Sequence, residues 1–142
     1  MSNKIKATRY HDISAGHRVY GHENRCNFAH GHNYRITFTV EAEALDSIGR
    51  VMDFSVIKSK LCMWLEDNWD HKFLLWEQDP WVDSMRQMDP NGLVVVPFNP
   101  TAENMGQYLI DVVGPEQLEG SGVVLTAVIV EETRKCSAEV TL

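Results

Sequence analysis

The chain of 142 residues is poor in cysteine and contains no long apolar run. Three cysteines are too few for a disulfide-rich scaffold, and they cannot all pair within one chain. No stretch approaches the ~20 apolar residues that a membrane-spanning helix needs. The first residues also lack the apolar segment of a signal peptide. We therefore expect a cytoplasmic protein with reduced cysteines and no membrane partner.

Basic side chains are also in short supply. The chain has 13 Lys and Arg against 20 Asp and Glu, which gives a net charge of −7. A nucleic-acid-binding protein needs a cationic face to displace counterions from phosphates, so we expect no nucleic-acid partner. A small anionic ligand is not excluded, because it responds only to the local field. Since the sequence contains no repeat, low-complexity tract or linker, we predict a single domain over residues 1–142.

The apolar pattern predicts an α+β fold. Alternation of Tyr34, Ile36, Phe38 and Val40 with polar residues indicates a half-buried strand. Extended segments are predicted at 5–19, 33–44, 93–98, 123–130 and 138–142, helices after Asp53 and from Pro100-Thr101 to Gly114-Pro115, and irregular chain at 76–91. The predicted order is β-β-α-(β)-α-β-β, an antiparallel sheet with two helices on one face.

Histidine is concentrated in one part of the chain. Five of the six histidines lie within 22 residues: His11, His17, His22, His30 and His32. In His30-Gly31-His32, residues i and i+2 on a strand point to the same face, so both imidazoles can reach one ion. We predict His17, on the neighbouring extended segment, as the third ligand, with His11 and His22 as alternatives on spacing alone. Three imidazoles suit Zn²⁺ and leave a coordination position open, which is typical of a catalytic zinc site.

Cys26 lies among polar residues four positions before His30. A thiol beside a dication ionises easily, so Cys26 can be a base, a nucleophile or a fourth ligand. We interpret Cys62, among apolar neighbours, and Cys136 as structural.

Ordered motifs along the whole chain resemble one known family, the 6-pyruvoyltetrahydropterin and 6-carboxytetrahydropterin synthases. The matching segments are Ser14-Ala15-Gly16-His17-Arg18, Cys26-x-x-x-His30-Gly31-His32-Asn33-Tyr34, Gly49-Arg50-Val51-Met52-Asp53-Phe54, Asp70-His71, Pro100-Thr101-Ala102-Glu103-Asn104 and Glu132-Thr133. The resemblance implies the tunnelling fold and a homo-oligomer, a trimer or hexamer, with active sites between subunits. It also implies zinc on His17, His30 and His32, and a dihydroneopterin triphosphate substrate.

The same resemblance implies roles for further residues. Cys26 matches the catalytic base, and Asp70 with His71 the proton relay. Glu132 matches the carboxylate that anchors the pterin ring, and Thr133, Thr101 and Glu103 are further candidate substrate-binding residues. Adjacent side chains diverge on a regular strand, so Asp70 and His71 can act together only if their segment is irregular. Spacing alone leaves open whether Glu131 or Glu132 faces the pocket.

Within the family, the three residues between Cys26 and His30 resemble the bacterial carboxytetrahydropterin synthases of queuosine and 7-deazaguanine biosynthesis. We therefore expect a zinc-dependent lyase that converts 7,8-dihydroneopterin triphosphate to 6-carboxytetrahydropterin, acetaldehyde and triphosphate. Alternatives are a 6-pyruvoyltetrahydropterin synthase, a non-catalytic pterin- or metal-binding module, and a structural zinc module with Cys26 as fourth ligand. Three departures from the family pattern are Gly16, where Ala is usual, Arg25, where Lys often precedes the cysteine, and the long segment 76–98. Arg18, Arg25 and Lys72 are candidates for binding the triphosphate.

Overall fold

The computed structural model describes residues 4–142, and within them one six-stranded sheet organises the chain. The strands are β1 (Ala7–His17), β2 (His30–Ala42), β3 (Phe73–Trp76), β4 (Leu93–Val96), β5 (Val123–Glu131) and β6 (Ser137–Thr141). Their order across the sheet is β4-β3-β1-β2-β5-β6. The pairs β1–β2, β2–β5 and β5–β6 are antiparallel, whereas β1–β3 and β3–β4 are parallel.

Three helical segments and one short turn connect the strands. Helix α1 runs through Phe54–Ile57, a π turn at Lys58–Cys62, and Met63–Asn68; α2 is Val82–Met88; α3 runs through Ala102–Tyr108, a π turn at Leu109–Val113, and Gly114–Gln117. A 3-10 turn covers Arg25–Asn27. Asp53 caps α1 by accepting a hydrogen bond from the Ser55 amide, as the sequence predicts.

One face of the sheet carries the core. On β2, Tyr34, Ile36, Phe38 and Val40 are at most 1% exposed, because every second side chain points to the same side. Helices α1 and α3 cover that side with apolar residues of the same cluster: Ile57, Leu61, Leu65, Met105, Leu109 and Val113. The predicted α+β architecture, with both long helices on one face, is therefore confirmed.

Two elements differ from the prediction. The sheet is mixed, because β3 and β4 add to β1 in parallel, and β3 was not predicted as a strand. Four residues are too few to establish a period of two. Helix α2 lies inside the segment predicted to be irregular; Val82 is its one buried residue, so it lacks an apolar stripe.

Helix α3 also continues past Gly114-Pro115, where the sequence predicts its end. The π turn widens the helix just before these residues, and Pro115 then lies in the first turn of the last segment, where proline is tolerated. Gly114 packs against β5 so closely that a Cβ there would lie 2.7 Å from Leu125 Cδ2. Glycine at this position therefore serves close packing rather than helix termination.

Candidate active site

The pairing of β1 with β2 brings three histidines together at one end of the sheet. In the antiparallel register His17 lies opposite His30, and Ala15 lies opposite His32. All three imidazoles point to the face that carries the core, because they continue the alternation of Ala15 and Tyr34. One nitrogen from each ring lies within 4.8 Å of the others. His17, His30 and His32 thus form a group that can hold a metal ion.

The other two histidines of this part of the chain have different partners. His11 Nε2 lies 2.7 Å from Glu66 Oε1, and His22 Nδ1 accepts a hydrogen bond from the Asn24 amide. Among residues 4–142, neither belongs to the histidine group. His17, and neither His11 nor His22, therefore lies beside His30 and His32.

Backbone carbonyls orient two of the rings. His17 Nδ1 lies 2.6 Å from the Pro100 carbonyl oxygen, and His30 Nδ1 lies 2.7 Å from that of Phe28. Since a carbonyl only accepts, both Nδ1 atoms carry the proton and both Nε2 atoms carry a lone pair. These two Nε2 atoms face each other at 3.0 Å. Two lone pairs at that distance repel unless a cation lies between them.

His32 completes the group. Its Nε2 is a buried side-chain nitrogen without a hydrogen-bond partner within residues 4–142, and the nearest carboxylate oxygen, Glu132 Oε2, is 3.7 Å away. An unsatisfied buried polar atom costs free energy of about 1–3 kcal/mol, and metal coordination would remove that cost. The donor set therefore fits a bound metal ion better than an empty polar pocket.

The electrostatics keep His17 and His32 neutral. Burial lowers the pKa of His17 to about 4; the hydrogen bond to Pro100 opposes this shift, and His30 and His32 add to it. Burial also lowers the pKa of His32, against the opposing charge of Glu132. A metal ligand must be deprotonated, so both rings have the protonation state that coordination requires at neutral pH.

Cys26 lies beside this group but outside it. It is half-buried in the 3-10 turn, and its carbonyl oxygen accepts a 2.7 Å hydrogen bond from the Val19 amide. A negative charge on Cys26 would add to the raised pKa of the Tyr34 hydroxyl, so Cys26 lies within electrostatic reach of the histidine side of β2. Among residues 4–142 the metal-ligating group does not include Cys26. This arrangement favours a three-histidine site with an open position over a closed four-ligand site.

Asp70 and His71 follow α1 and are within hydrogen-bonding distance, with Nδ1 of His71 2.9 Å from Oδ2 of Asp70. His71 has a φ of +59°, a left-handed conformation that non-glycine residues rarely adopt. This irregular backbone lets two adjacent side chains meet, as joint action of Asp70 and His71 requires. Burial disfavours ionised Asp70, but hydrogen bonds from the Ser14 amide and from His71 outweigh it and lower its pKa.

An open cavity of about 590 Å³ lies between these groups; its walls include His30, His32, His71 and Lys72. A second cavity, of about 630 Å³, adjoins it through His71, Ser14 and Asn33 and includes Asp70, Glu131 and Thr133. The exposed His71 side chain therefore belongs to both cavities. The site is open to solvent on this side.

Comparison with known proteins identifies the family. The model of the family described as 6-pyruvoyl tetrahydropterin synthase matches residues 6–142. The chain belongs to this family. It is 34% identical over 137 residues to the 6-carboxy-5,6,7,8-tetrahydropterin synthase of Rickettsia typhi, an alignment that covers 96% of this chain and 99% of that protein.

Solved structures confirm the fold of the 6-pyruvoyl tetrahydropterin synthase family, the tunnelling fold. An uncharacterized protein from Wolinella succinogenes superimposes with a TM-score of 0.84 at 21% identity, covering 99% of both chains. The 6-pyruvoyl tetrahydropterin synthase of Caenorhabditis elegans superimposes with a TM-score of 0.70 at 22% identity, covering 99% of this chain and 96% of that one. No helix within residues 4–142 is long and apolar enough to cross a membrane.

The remaining family-motif residues lie at different distances from the histidines. Glu132 faces His32, whereas Glu131 lines the second cavity, so the strand alternation that spacing left open is resolved by the structure. Thr101 caps α3 by accepting a hydrogen bond from the Asn104 amide. Neither Thr101 nor the exposed Glu103 is among the residues that line the two cavities. Their part in substrate binding stays a prediction.

Tyr34 also lies at the site, although the sequence predicted only a buried strand position for it. Its hydroxyl lies 3.3 Å from His17 Nδ1, and its ring packs edge-on against His17 and His32. Burial raises the pKa of this phenol, helped by the charges of Glu132 and Cys26, so the hydroxyl stays protonated. Its spacing in the sequence could have indicated this position, because a residue two positions after His32 on a strand shares the face of the histidines.

The packing of β3 explains why glycine occupies position 16. A Cβ at this position would lie 2.6 Å from Cδ2 of Phe73. The β3 ring therefore occupies the space that the alanine usual in the family would need, which explains the departure noted in the sequence.

Proposed function

We propose that this chain is a zinc-dependent 6-carboxy-5,6,7,8-tetrahydropterin synthase. The reaction converts 7,8-dihydroneopterin triphosphate and one water to 6-carboxytetrahydropterin, acetaldehyde and triphosphate. This reaction is a step in the biosynthesis of queuosine and 7-deazaguanines. The observation that carries the proposal is the paired Nε2 atoms of His17 and His30 beside the unpartnered Nε2 of His32. The name of the Rickettsia typhi relative supports the choice of reaction.

Zinc fits the donor set. Two imidazole nitrogens at the usual Zn–N distance of about 2.0–2.1 Å in a tetrahedron are about 3.3 Å apart, close to the 3.0 Å between the His17 and His30 Nε2 atoms. When bound, zinc would supply a Lewis acid that polarises oxygen atoms of the substrate side chain. His17, His30 and His32 would hold it, with the Pro100 and Phe28 carbonyls keeping two of the rings in place.

The acid–base steps are assigned to Cys26, Asp70 and His71. We propose that Cys26 as thiolate takes a proton from the substrate side chain, and that His71 carries or returns one. Asp70, ionised by its lowered pKa, orients the His71 imidazole through Nδ1 and stabilises its protonated form. Exposure of His71 at the junction of two cavities allows it to exchange protons with solvent.

Glu132 is proposed to anchor the pterin ring. An ionised carboxylate can accept two hydrogen bonds from adjacent ring N–H and amino groups. Its position 3.7 Å from His32 would place the ring next to the metal ligands. Thr133, in the adjoining cavity, and Thr101 and Glu103, at the start of α3, are proposed to complete substrate contacts in the assembled protein.

We also propose a homo-oligomer, a trimer or hexamer, with active sites between subunits of a single-domain chain. Strands β4 and β6 lie at the two edges of the sheet, where backbone groups are available to pair with another chain. The open cavities at His71 offer a place where a neighbouring subunit can complete the pocket. Cytoplasmic location is part of the same proposal.

Product analysis tests the function. The purified protein is incubated with 7,8-dihydroneopterin triphosphate, with and without a chelator, and the products are identified by mass spectrometry. We expect acetaldehyde and 6-carboxytetrahydropterin, lost on chelation and restored by Zn²⁺. Triphosphate release without acetaldehyde would assign the chain to the pyruvoyl-forming reaction that the family description names. Ligand binding without turnover would make it a non-catalytic module.

A further inference from the structure

Arg18 follows the metal ligand His17 directly, and its guanidinium is buried. It forms a fork-like ion pair with Asp79, with Nε 2.7 Å from Oδ2 and Nη2 3.0 Å from Oδ1. Arg18 is 5% exposed and Asp79 3% exposed. Two buried charges cost several kcal/mol of desolvation each, which only good geometry repays. Arg18 is therefore committed to this pair and is not free to bind a triphosphate.

Aromatic rings enclose the guanidinium. The Arg18 Cζ atom lies 3.7 Å from the centroid of the Trp81 ring and 5.3 Å from that of Tyr20. Asp79 also accepts a 2.8 Å hydrogen bond from the Trp81 amide, so one short stretch supplies both the carboxylate and the ring. A stacked, bidentate site of this kind is specific for arginine over lysine.

The third guanidinium nitrogen reaches the loop that carries Cys26. Nη1 of Arg18 donates a 3.2 Å hydrogen bond to the carbonyl oxygen of Asn27. Asn27 lies between Cys26, the proposed base, and Phe28, whose carbonyl orients the His30 ring. The buried ion pair is thus connected to both the proposed base and a metal ligand through one peptide segment.

We propose that Arg18 is a positioning residue for the Cys26–Phe28 loop, held in place by Asp79 and Trp81. The function of the stretch 79–81, within the segment 76–98, is then to fix the loop that carries the catalytic thiol. The kinetic part of this inference rests on the proposed function, whereas the loop geometry does not.

The decisive variant replaces the buried pair with apolar residues, as Arg18→Met/Asp79→Leu. Such a replacement often keeps or raises stability, since no unpaired charge is left behind. The Asn27 hydrogen bond is lost in it. We expect the melting temperature to be retained, kcat at saturating Zn²⁺ to fall about 10- to 100-fold, as for misplaced catalytic groups, and KM to change little.

A second readout needs no turnover. Iodoacetamide modification of each cysteine is followed by peptide mass spectrometry, with the exposed Cys136 as internal reference. We expect the rate at Cys26 relative to Cys136 to rise at least about threefold in the double variant, because a looser loop exposes the half-buried thiol. Asp83→Asn is the matched control, because its carboxylate is 95% exposed on α2.

Wild-type kcat and wild-type Cys26 reactivity in a folded double variant would overturn the inference, since the pair would then only stabilise the fold. If the double variant does not fold, Trp81→Leu, which keeps both charges, is measured in the same way and must raise the Cys26 rate. Absence of turnover in the wild type would refute the proposed function alone, because the alkylation ratio still reports on the loop.

Discussion

The histidine group and the Asp70–His71 pair are neighbours, since His30, His32 and His71 line one cavity, but they are built in different ways. His17 is 2% exposed, and backbone carbonyls hold two of the three rings. The His71 side chain is 80% exposed, and its backbone is in a left-handed conformation. The three histidines are therefore brought together within one chain, whereas the proposed acid–base pair faces open space that a substrate or a neighbouring subunit would close.

The largest expected effect comes from removing a ligand. We expect His32→Ala to lower Zn²⁺ affinity by more than about 100-fold, beyond the loss typical of outer groups, and to abolish turnover. Competition with a chromophoric chelator measures the affinity. His22→Ala, at a histidine outside the group, serves as the control and should bind zinc normally. Unchanged affinity in His32→Ala would refute the assignment of the ligands.

The proposed acid–base residues should instead affect turnover without affecting zinc affinity. We expect Cys26→Ala and His71→Ala each to lower kcat by about 10²- to 10⁴-fold, the usual range for general acid–base groups, while zinc affinity stays within about twofold of wild type because neither residue is placed among the ligands. Steady-state kinetics and the same chelator assay measure both. Cys136→Ala is the matched control for the thiol. Full activity in Cys26→Ala would end its assignment as the base.

Acid should lower the stability of the metal-free protein through its histidine group. The ordinary histidine pKa of 6.5 falls to about 4 at His17, so the unfolded chain binds a proton that the folded chain does not. Stability must then decrease as pH falls from about 6.5 to 4, by roughly 3 kcal/mol for this group. His32 acts in the same direction.

Urea unfolding of the metal-free protein between pH 7 and pH 4 measures this effect. The difference between wild type and His17→Asn isolates it from the titration of carboxylates, and that difference should shrink towards low pH. A difference independent of pH would show that His17 titrates normally.

The smallest effect concerns the backbone conformation of His71. At a φ of +59° glycine carries no steric penalty, whereas a side chain does. His71→Gly should therefore be more stable than His71→Ala by about 1 kcal/mol, although both lose activity. Denaturant unfolding of the two variants measures it. Equal stability would mean that the left-handed conformation stores no strain.

Much of this architecture follows from local patterns. The alternation in β2 predicts a strand with one buried face, and the repeat of apolar residues predicts α1 and most of α3. The elements that were missed, β3 and α2, are short and carry no periodic signal. The place of β3 depends on its pairing with β1 and β4, and α2 has a single buried residue.

The site divides in the same way. The sequence predicts His17 as the third ligand but leaves His11 and His22 open as alternatives, and the β1–β2 register selects His17 because it lies opposite His30. For Arg18, the sequence gives no indication of its surroundings. A surface arginine and a buried one look alike in sequence, and only the carboxylate of Asp79, brought from 61 residues away, decides which it is.

By itself the sequence determined which chemistry is available: the His-Gly-His pair, the nearby cysteine, the Asp-His pair and the order of the motifs. Residue type and short spacing carry that information, because they set donor atoms and local strand geometry. The tertiary structure alone decided that Glu132 rather than Glu131 faces the histidines, that His71 turns back to meet Asp70, and that Arg18 is buried. These outcomes depend on contacts between distant segments, where burial and pairing outweigh any local preference.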